Sequence, residues 1–240
     1  KECDIDGFRC DMAHLVPLDF WNEARIACDN IKKLFWLAEC ENVEYHNVCD
    51  VTYAWEWMHG TEKYFQGNAS LNHVYDVLHK YSQYPKDSKK LFFTTNHDEN
   101  SWNGTEYEKY GNAAKAMAVL TTTLNGMPLV YSGQENPNTK RLKFFDKDVI
   151  EWNSKLQLHD FYKAILTLHK SKAIAEGEMF NLPTNHEHVM AFLRKKELKV
   201  VLVILNFCGE GKIKIQVNHE WLNGNFSNVF FGVEIHVETK

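Results

Sequence analysis

The residues best suited to chemistry lie near the start of the chain, in Ile5-Asp6-Gly7-Phe8-Arg9-Cys10-Asp11-Met12-Ala13-His14. Apolar and polar residues alternate up to Arg9 and polar groups then concentrate, the pattern of a short buried strand whose end turns outward. Arg9 and Asp11 share one face of such a strand. A guanidinium beside Asp11 keeps its carboxylate ionised, the state a nucleophile needs; taken alone, the default reading of the pair is a structural ion pair at a strand end. Two later runs have the same form. Leu34-Phe35-Trp36-Leu37-Ala38-Glu39 and Leu91-Phe92-Phe93-Thr94-Thr95-Asn96-His97-Asp98 each carry an apolar stretch into a carboxylate, the second beside His97. Two carboxylates across a sugar linkage, one attacking the sugar carbon and the other protonating the leaving oxygen, perform glycoside hydrolysis.

Acids so distant in sequence meet only if the elements carrying them run side by side. In a parallel barrel every C-terminal strand end lies on one rim. The spacing fits such units. Residues 17–33 predict a helix with Pro17 in its first turn, an apolar stripe of Phe20, Trp21, Ala24, Ile26, Ala27 and Ile31, and two lysines at its end. Strand 34–39 follows directly, which predicts a right-handed strand–helix–strand crossover. Further strands are expected at 49–55, 90–95 and 128–131, and helices at 56–64, 71–84, 112–124 and 158–172. Residues 40–48 and 99–110 read as polar loops, and 134–156 as irregular with Trp152 packed beneath. Tyr53, Trp55 and Trp57 could stack on sugar rings, although core packing is the default for aromatics. His59, His73 and His79 read as surface or satisfied histidines.

These stretches together resemble the α-amylase family of glycoside hydrolases. Gly7-Phe8-Arg9-Cys10-Asp11, Ala38-Glu39 and Phe93-Thr94-Thr95-Asn96-His97-Asp98 look like three of that family's four signature regions. Gly126-Met127-Pro128-Leu129-Val130-Tyr131-Ser132-Gly133-Gln134-Glu135 is similar to its last barrel strand. The resemblance covers the first two thirds of the chain in the family's order. It implies Asp11 as nucleophile, Glu39 as general acid/base and Asp98 as stabiliser of the distorted sugar, with Arg9, His97 and His14 contacting substrate. His14 stands where many relatives carry a lysine. The implied activity is retaining hydrolysis of α-glucosidic linkages in starch-like glucans or maltooligosaccharides. A non-catalytic carbohydrate-binding or scaffold relative is the alternative, as is a sister enzyme acting on sucrose, trehalose or α-1,6 linkages. The family's first signature region lies upstream of the segment that opens this chain. The expectation is therefore a fragment, inactive alone, whose partner is the missing N-terminal half of the barrel. Calcium is frequent in the complete enzymes, and no ligand for it can be named in this sequence.

After Ala173 helical periodicity gives way to alternation, with strands expected at 189–193, 200–207, 212–217 and 230–237 around a charged turn, Arg194-Lys195-Lys196-Glu197. The expected fold class is α/β: a partial TIM (β/α)8 barrel, about strands 4 to 8, over residues 1–176, then a small antiparallel β-sandwich over 177–240. With 240 residues, 44% of them hydrophobic, the chain can bury a core. A formal charge of −5 without a basic block argues against nucleic acid, and no run is apolar enough for a membrane span. The six cysteines lack C-x-x-C spacing and read as small apolar residues, the usage of a reducing, cytoplasmic compartment.

Overall fold

The computed structural model describes residues 3–152, 156–208 and 213–237, and the chain divides into two compact units, Lys1–Phe92 and Phe93–Lys240.

In the first unit four short strands, β1 (Gly7–Cys10), β2 (Phe35–Ala38), β3 (Val51–Tyr53) and β4 (Lys89–Phe92), pair in parallel in sequence order. Parallel neighbours need a crossover. Helix α1 (Leu18–Asp29) supplies the first, and α2 (Trp55–Phe65) with α3 (Leu71–Ser82) the last. Register puts Cys10 beside Ala38 and Leu37 beside Val51, so the residues just past each strand end are neighbours. Gly7 makes the first pairing feasible. A Cβ there would stand 2.2 Å from the Phe35 carbonyl oxygen, a contact no side chain tolerates.

Helix α1 packs Leu18, Trp21, Ala24 and Cys28 on a core of Cys10, Trp36, Ala38, Tyr45 and Cys49. The stripe expected from sequence is thus corrected: Phe20, Ile26 and Ile31 are exposed, because the face is set by Leu18 and its neighbours at three- and four-residue steps. The loop after β2 is corrected too. It holds a 3-10 turn, Val43–Asn47, with Tyr45 and Val48 buried. Its chemistry is tied to Lys90, whose buried ammonium reaches the Glu41 carboxylate at 2.9 Å, Glu41 O and Tyr53 O at 3.1 Å and Thr52 Oγ1 at 3.0 Å. The Tyr81 ring lies 4.7 Å from the same ammonium. A lysine is buried only with such partners.

In the second unit the expected polar loop 99–110 contains two short helices, α4 (Glu99–Trp102) and α5 (Glu106–Tyr110). The latter is opened by a capping box in which Thr105 Oγ1 accepts from Glu108 N and Glu108 Oε2 from Thr105 N. Helix α6 (Ala114–Thr123) precedes β5 (Gly126–Pro128), and the helix expected at 158–172 is α7 (His159–His169) followed by α8 (Lys172–Ala175). Trp152 is exposed instead of packed beneath the irregular stretch.

Strands β6 (Glu178–Leu182), β7 (Val189–Lys196) and β8 (Lys199–Asn206) form one antiparallel sheet, β9 (Gly224–Ser227) and β10 (Glu234–Val237) another. Leu182, Ala191, Leu193 and Leu222 fill the shared core, joined by Phe226 and Val237 from the second sheet. Arg194 leaves the expected charged turn for that strand's buried face. Its guanidinium donates to Thr123 O, Ile174 O and Gly177 O at 3.1, 2.6 and 2.8 Å, carbonyls at or just past the ends of α6 and α8 that lack helix partners. Residues 213–217 form no strand, and Lys212 lies outside the described residues. Their alternation still appears as burial, with Ile213, Ile215 and Val217 half-buried and Lys214 and Gln216 exposed.

Candidate active site

Asp11 and Glu39 leave the ends of adjacent strands, and Arg9 joins them. One guanidinium nitrogen, Nη1, contacts Asp11 Oδ1, and the other, Nη2, stands 2.9 Å from Glu39 Oε1. The second Glu39 oxygen accepts a hydrogen bond from Met12 N at 2.9 Å. Glu39 N donates to Cys10 O and Ala13 N to Glu39 O, so the backbone of the two strand ends is stitched together around the acids. Met12 sits at φ 40°, a left-handed turn that aims its N–H at Glu39. The two carboxylates differ in setting: the Asp11 side chain is 74% exposed and the Glu39 side chain 9%. An open carboxylate can approach an incoming sugar carbon, whereas a buried one is held in fixed orientation.

Arg9 itself is braced from below. Burial works against its charge, but the Tyr53 hydroxyl and the Glu39 and Asp11 carboxylates outweigh that, and its pKa is raised. The guanidinium stands 5.9 Å from the centroid of the buried Tyr53 ring, which stacks in turn on Trp55 at 5.5 Å. Sequence reasoning offered Tyr53 for sugar stacking or core packing and did not foresee its place beneath Arg9, and it missed the Met12 amide altogether. Tyr53 carried a signal, lying near the end of an expected strand and closing the observed β3; a backbone amide carries none. His14 is exposed in the 3-10 turn Ala13–Leu15 that follows.

In the second unit, Asn96 shapes the turn that carries His97 and Asp98. Its Oδ1 accepts from Asp98 N at 3.0 Å and Glu99 N at 2.8 Å, an Asx-type turn that starts α4. His97 Nε2 lies 3.4 Å from Asp98 Oδ2, and both side chains are accessible. Burial, and then the nearby Asp98 charge, push the Tyr131 phenol up. Beneath the turn, Thr94 Oγ1 and Gln134 Nε2 donate to Glu106 Oε2 at 3.0 and 2.6 Å. Burial pushes the Glu106 carboxyl up to about 7. Among the described residues no group of three or more His, Cys, Asp or Glu side chains could hold a metal ion, so no calcium ligand is assigned. No helix among them is long and apolar enough to cross a membrane.

Searching family models gives no match. Among curated proteins, α-amylase MalA of Haloarcula japonica is 28% identical over 224 residues, 86% of this chain and 32% of that protein. Among solved structures, the maltogenic α-amylase AmyB from Thermotoga neapolitana aligns over 100% of this chain and 58% of its own, with TM-score 0.86 and 27% identity. An α-amylase from Lactobacillus plantarum aligns over 98% of this chain and 58% of its own, with TM-score 0.82 and 21% identity. The chain thus spans about a third of the curated relative and under two thirds of these structures. The parallel strands with crossover helices followed by antiparallel sheets are the fold of a partial (β/α)8 barrel and its β domain. The chain is a relative of the α-amylase family of glycoside hydrolases, covering the C-terminal part.

Proposed function

We propose that this chain carries the catalytic groups of a retaining glycoside hydrolase acting on α-glucosidic linkages of starch-like glucans or maltooligosaccharides. The observation that carries the reading is Arg9 holding Asp11 and Glu39 together at adjacent parallel strand ends. Asp11, open to solvent, attacks the anomeric carbon. Glu39 gives a proton to the departing oxygen and then takes one from the water that releases the sugar. Asp98 supports the distorted sugar, and Arg9, His97 and His14 contact substrate. Residues 1–176 belong to the catalytic barrel and 177–240 to the β domain. The α-amylase and maltogenic α-amylase relatives support the substrate class.

The test is Glu39→Gln in the full-length protein, which keeps the side chain's shape and removes its proton transfer. Turnover of maltooligosaccharides falls by about 10²–10⁴-fold, the usual contribution of a positioned acid/base, while oligosaccharide binding measured by calorimetry persists. The anomer first released, followed by NMR, is the α form. Release of the β form would replace retention by inversion, which needs carboxyl groups about 6.5–9.5 Å apart in place of about 5–5.5 Å.

A further inference from the structure

Three aromatic side chains cluster in solvent, and one of them, Trp102, lies one helical turn past Asp98. Trp102 is 60% exposed, Phe145 84% and Phe144 42%. Their rings form one cluster, with centroids 4.9 Å apart for Trp102 and Phe144, 5.9 Å for Trp102 and Phe145, and 4.8 Å for Phe144 and Phe145. Exposed apolar residues are ordinary singly; a rigid contiguous group calls for a reason.

The rigidity is built. Trp102 N donates to Asp98 O at 3.0 Å, fixing the indole's backbone about 6 Å along the helix axis from Asp98. The loop carrying the two phenylalanines is clamped to the same helix by the buried Asn100, whose amide donates to Lys140 O at 3.3 Å and whose carbonyl accepts from Leu142 N at 2.8 Å. Arg141 Nε reaches both Glu108 oxygens at 3.0 Å. Gly104, at φ +119°, lets that guanidinium pass, since a Cβ there would lie 3.0 Å from it. Asp148 closes the loop, accepting from Lys143 N at 3.0 Å and pairing with Lys140.

We infer that Trp102, Phe144 and Phe145 form a stacking platform for glucosyl units of an α-glucan chain extending from the Asp98 turn. This rests on the proposed function and deepens it, because it selects long glucans over short ones. Pyranose rings present C–H faces that match the electron-rich faces of aromatic rings. The exposed fraction of three such rings is roughly 400 Å², well under the ~800 Å² per partner of a stable protein interface. That area suits a short stretch of sugar chain and is too small for a second copy.

The experiment titrates the Glu39→Gln protein, which leaves ligand intact, with maltose and with maltoheptaose by calorimetry. Adding Trp102→Ala is expected to weaken maltoheptaose about tenfold and maltose less than about twofold, and Trp102→Phe to restore most of the loss. Equal maltoheptaose affinity with and without Trp102→Ala overturns the platform and leaves the proposed function standing. Absence of binding for either sugar in the Glu39→Gln protein overturns both. Concentration-dependent self-association that Trp102→Ala abolishes, with maltoheptaose affinity unchanged, assigns the patch to a second copy instead.

Discussion

At the scale of single residues, two buried titratable groups oppose each other across the acid range. Burial holds the Glu106 carboxyl at about 7, against an ordinary 4.5. Between those values the native state keeps a proton that the unfolded chain has lost, so this group's contribution to stability falls as pH rises from 4.5 towards 7. His46 behaves in reverse. Its Nε2 is bonded to Thr52 Oγ1 at 3.0 Å, and burial, followed by the charge on Lys90, holds its pKa at about 4 against an ordinary 6.5. Between pH 4 and 6.5 the unfolded chain binds the proton that the native ring refuses, so stability rises with pH there. Each effect is on the order of 3 kcal/mol across its window, and near pH 5–6 they offset. Glu106→Gln should therefore make Tm climb more steeply between about pH 4.5 and 6.5 than in the parent, and His46→Gln should flatten or reverse that climb. Parallel Tm profiles for both variants and the parent across that range contradict the assignment.

At the scale of elements, the acid pair depends on how closely β1 and β2 pair. Gly7 is the point of closest approach, with the Phe35 carbonyl oxygen 2.2 Å from where a Cβ would be. Gly7→Ala must push the strands apart at the base of the pairing that sets Cys10 beside Ala38. The expected cost is about 2–4 kcal/mol, typical of overpacking against backbone, read as a lowered denaturant midpoint. In the full-length protein, activity should fall further than the lost stability explains, because Arg9 must still span from Asp11 to Glu39. A variant with parental stability and activity would show that the β1–β2 pairing does not set the site.

At the scale of the whole molecule, β1 stands at the end of the sheet order with β2 as its paired neighbour. Ile5, Phe8 and Phe35 are exposed beside it. An open apolar edge is a template for another strand. The polypeptide 1–240 on its own is expected to self-associate in a concentration-dependent way, with little or no starch hydrolysis. Light scattering after size-exclusion chromatography, paired with a reducing-sugar assay, checks both. A monodisperse monomer with robust turnover is the contrary result.

Local order alone marked where the strands lie, although β4 ends at Phe92 and β5 at Pro128, short of the expected 95 and 131, with residues 93–96 buried outside any strand, and it determined most helices through their spacing. It also marked the change near residue 177, where the period drops from helical to alternating. What it could not determine were contacts between residues far apart. Arg194 reads as part of a charged turn, and only three helix-end carbonyls make its burial feasible. Lys90 is buried by acceptors from the loop after β2 and from β3. Residues 213–217 kept their alternation in burial yet entered no sheet, because a strand needs a partner edge as well as a pattern. The aromatic trio depended on Asn100, forty positions from the carbonyl it holds. Side-chain pattern is a property of sequence neighbours, whereas the pairing of charges, edges and rings depends on which distant segments the folded backbone brings together.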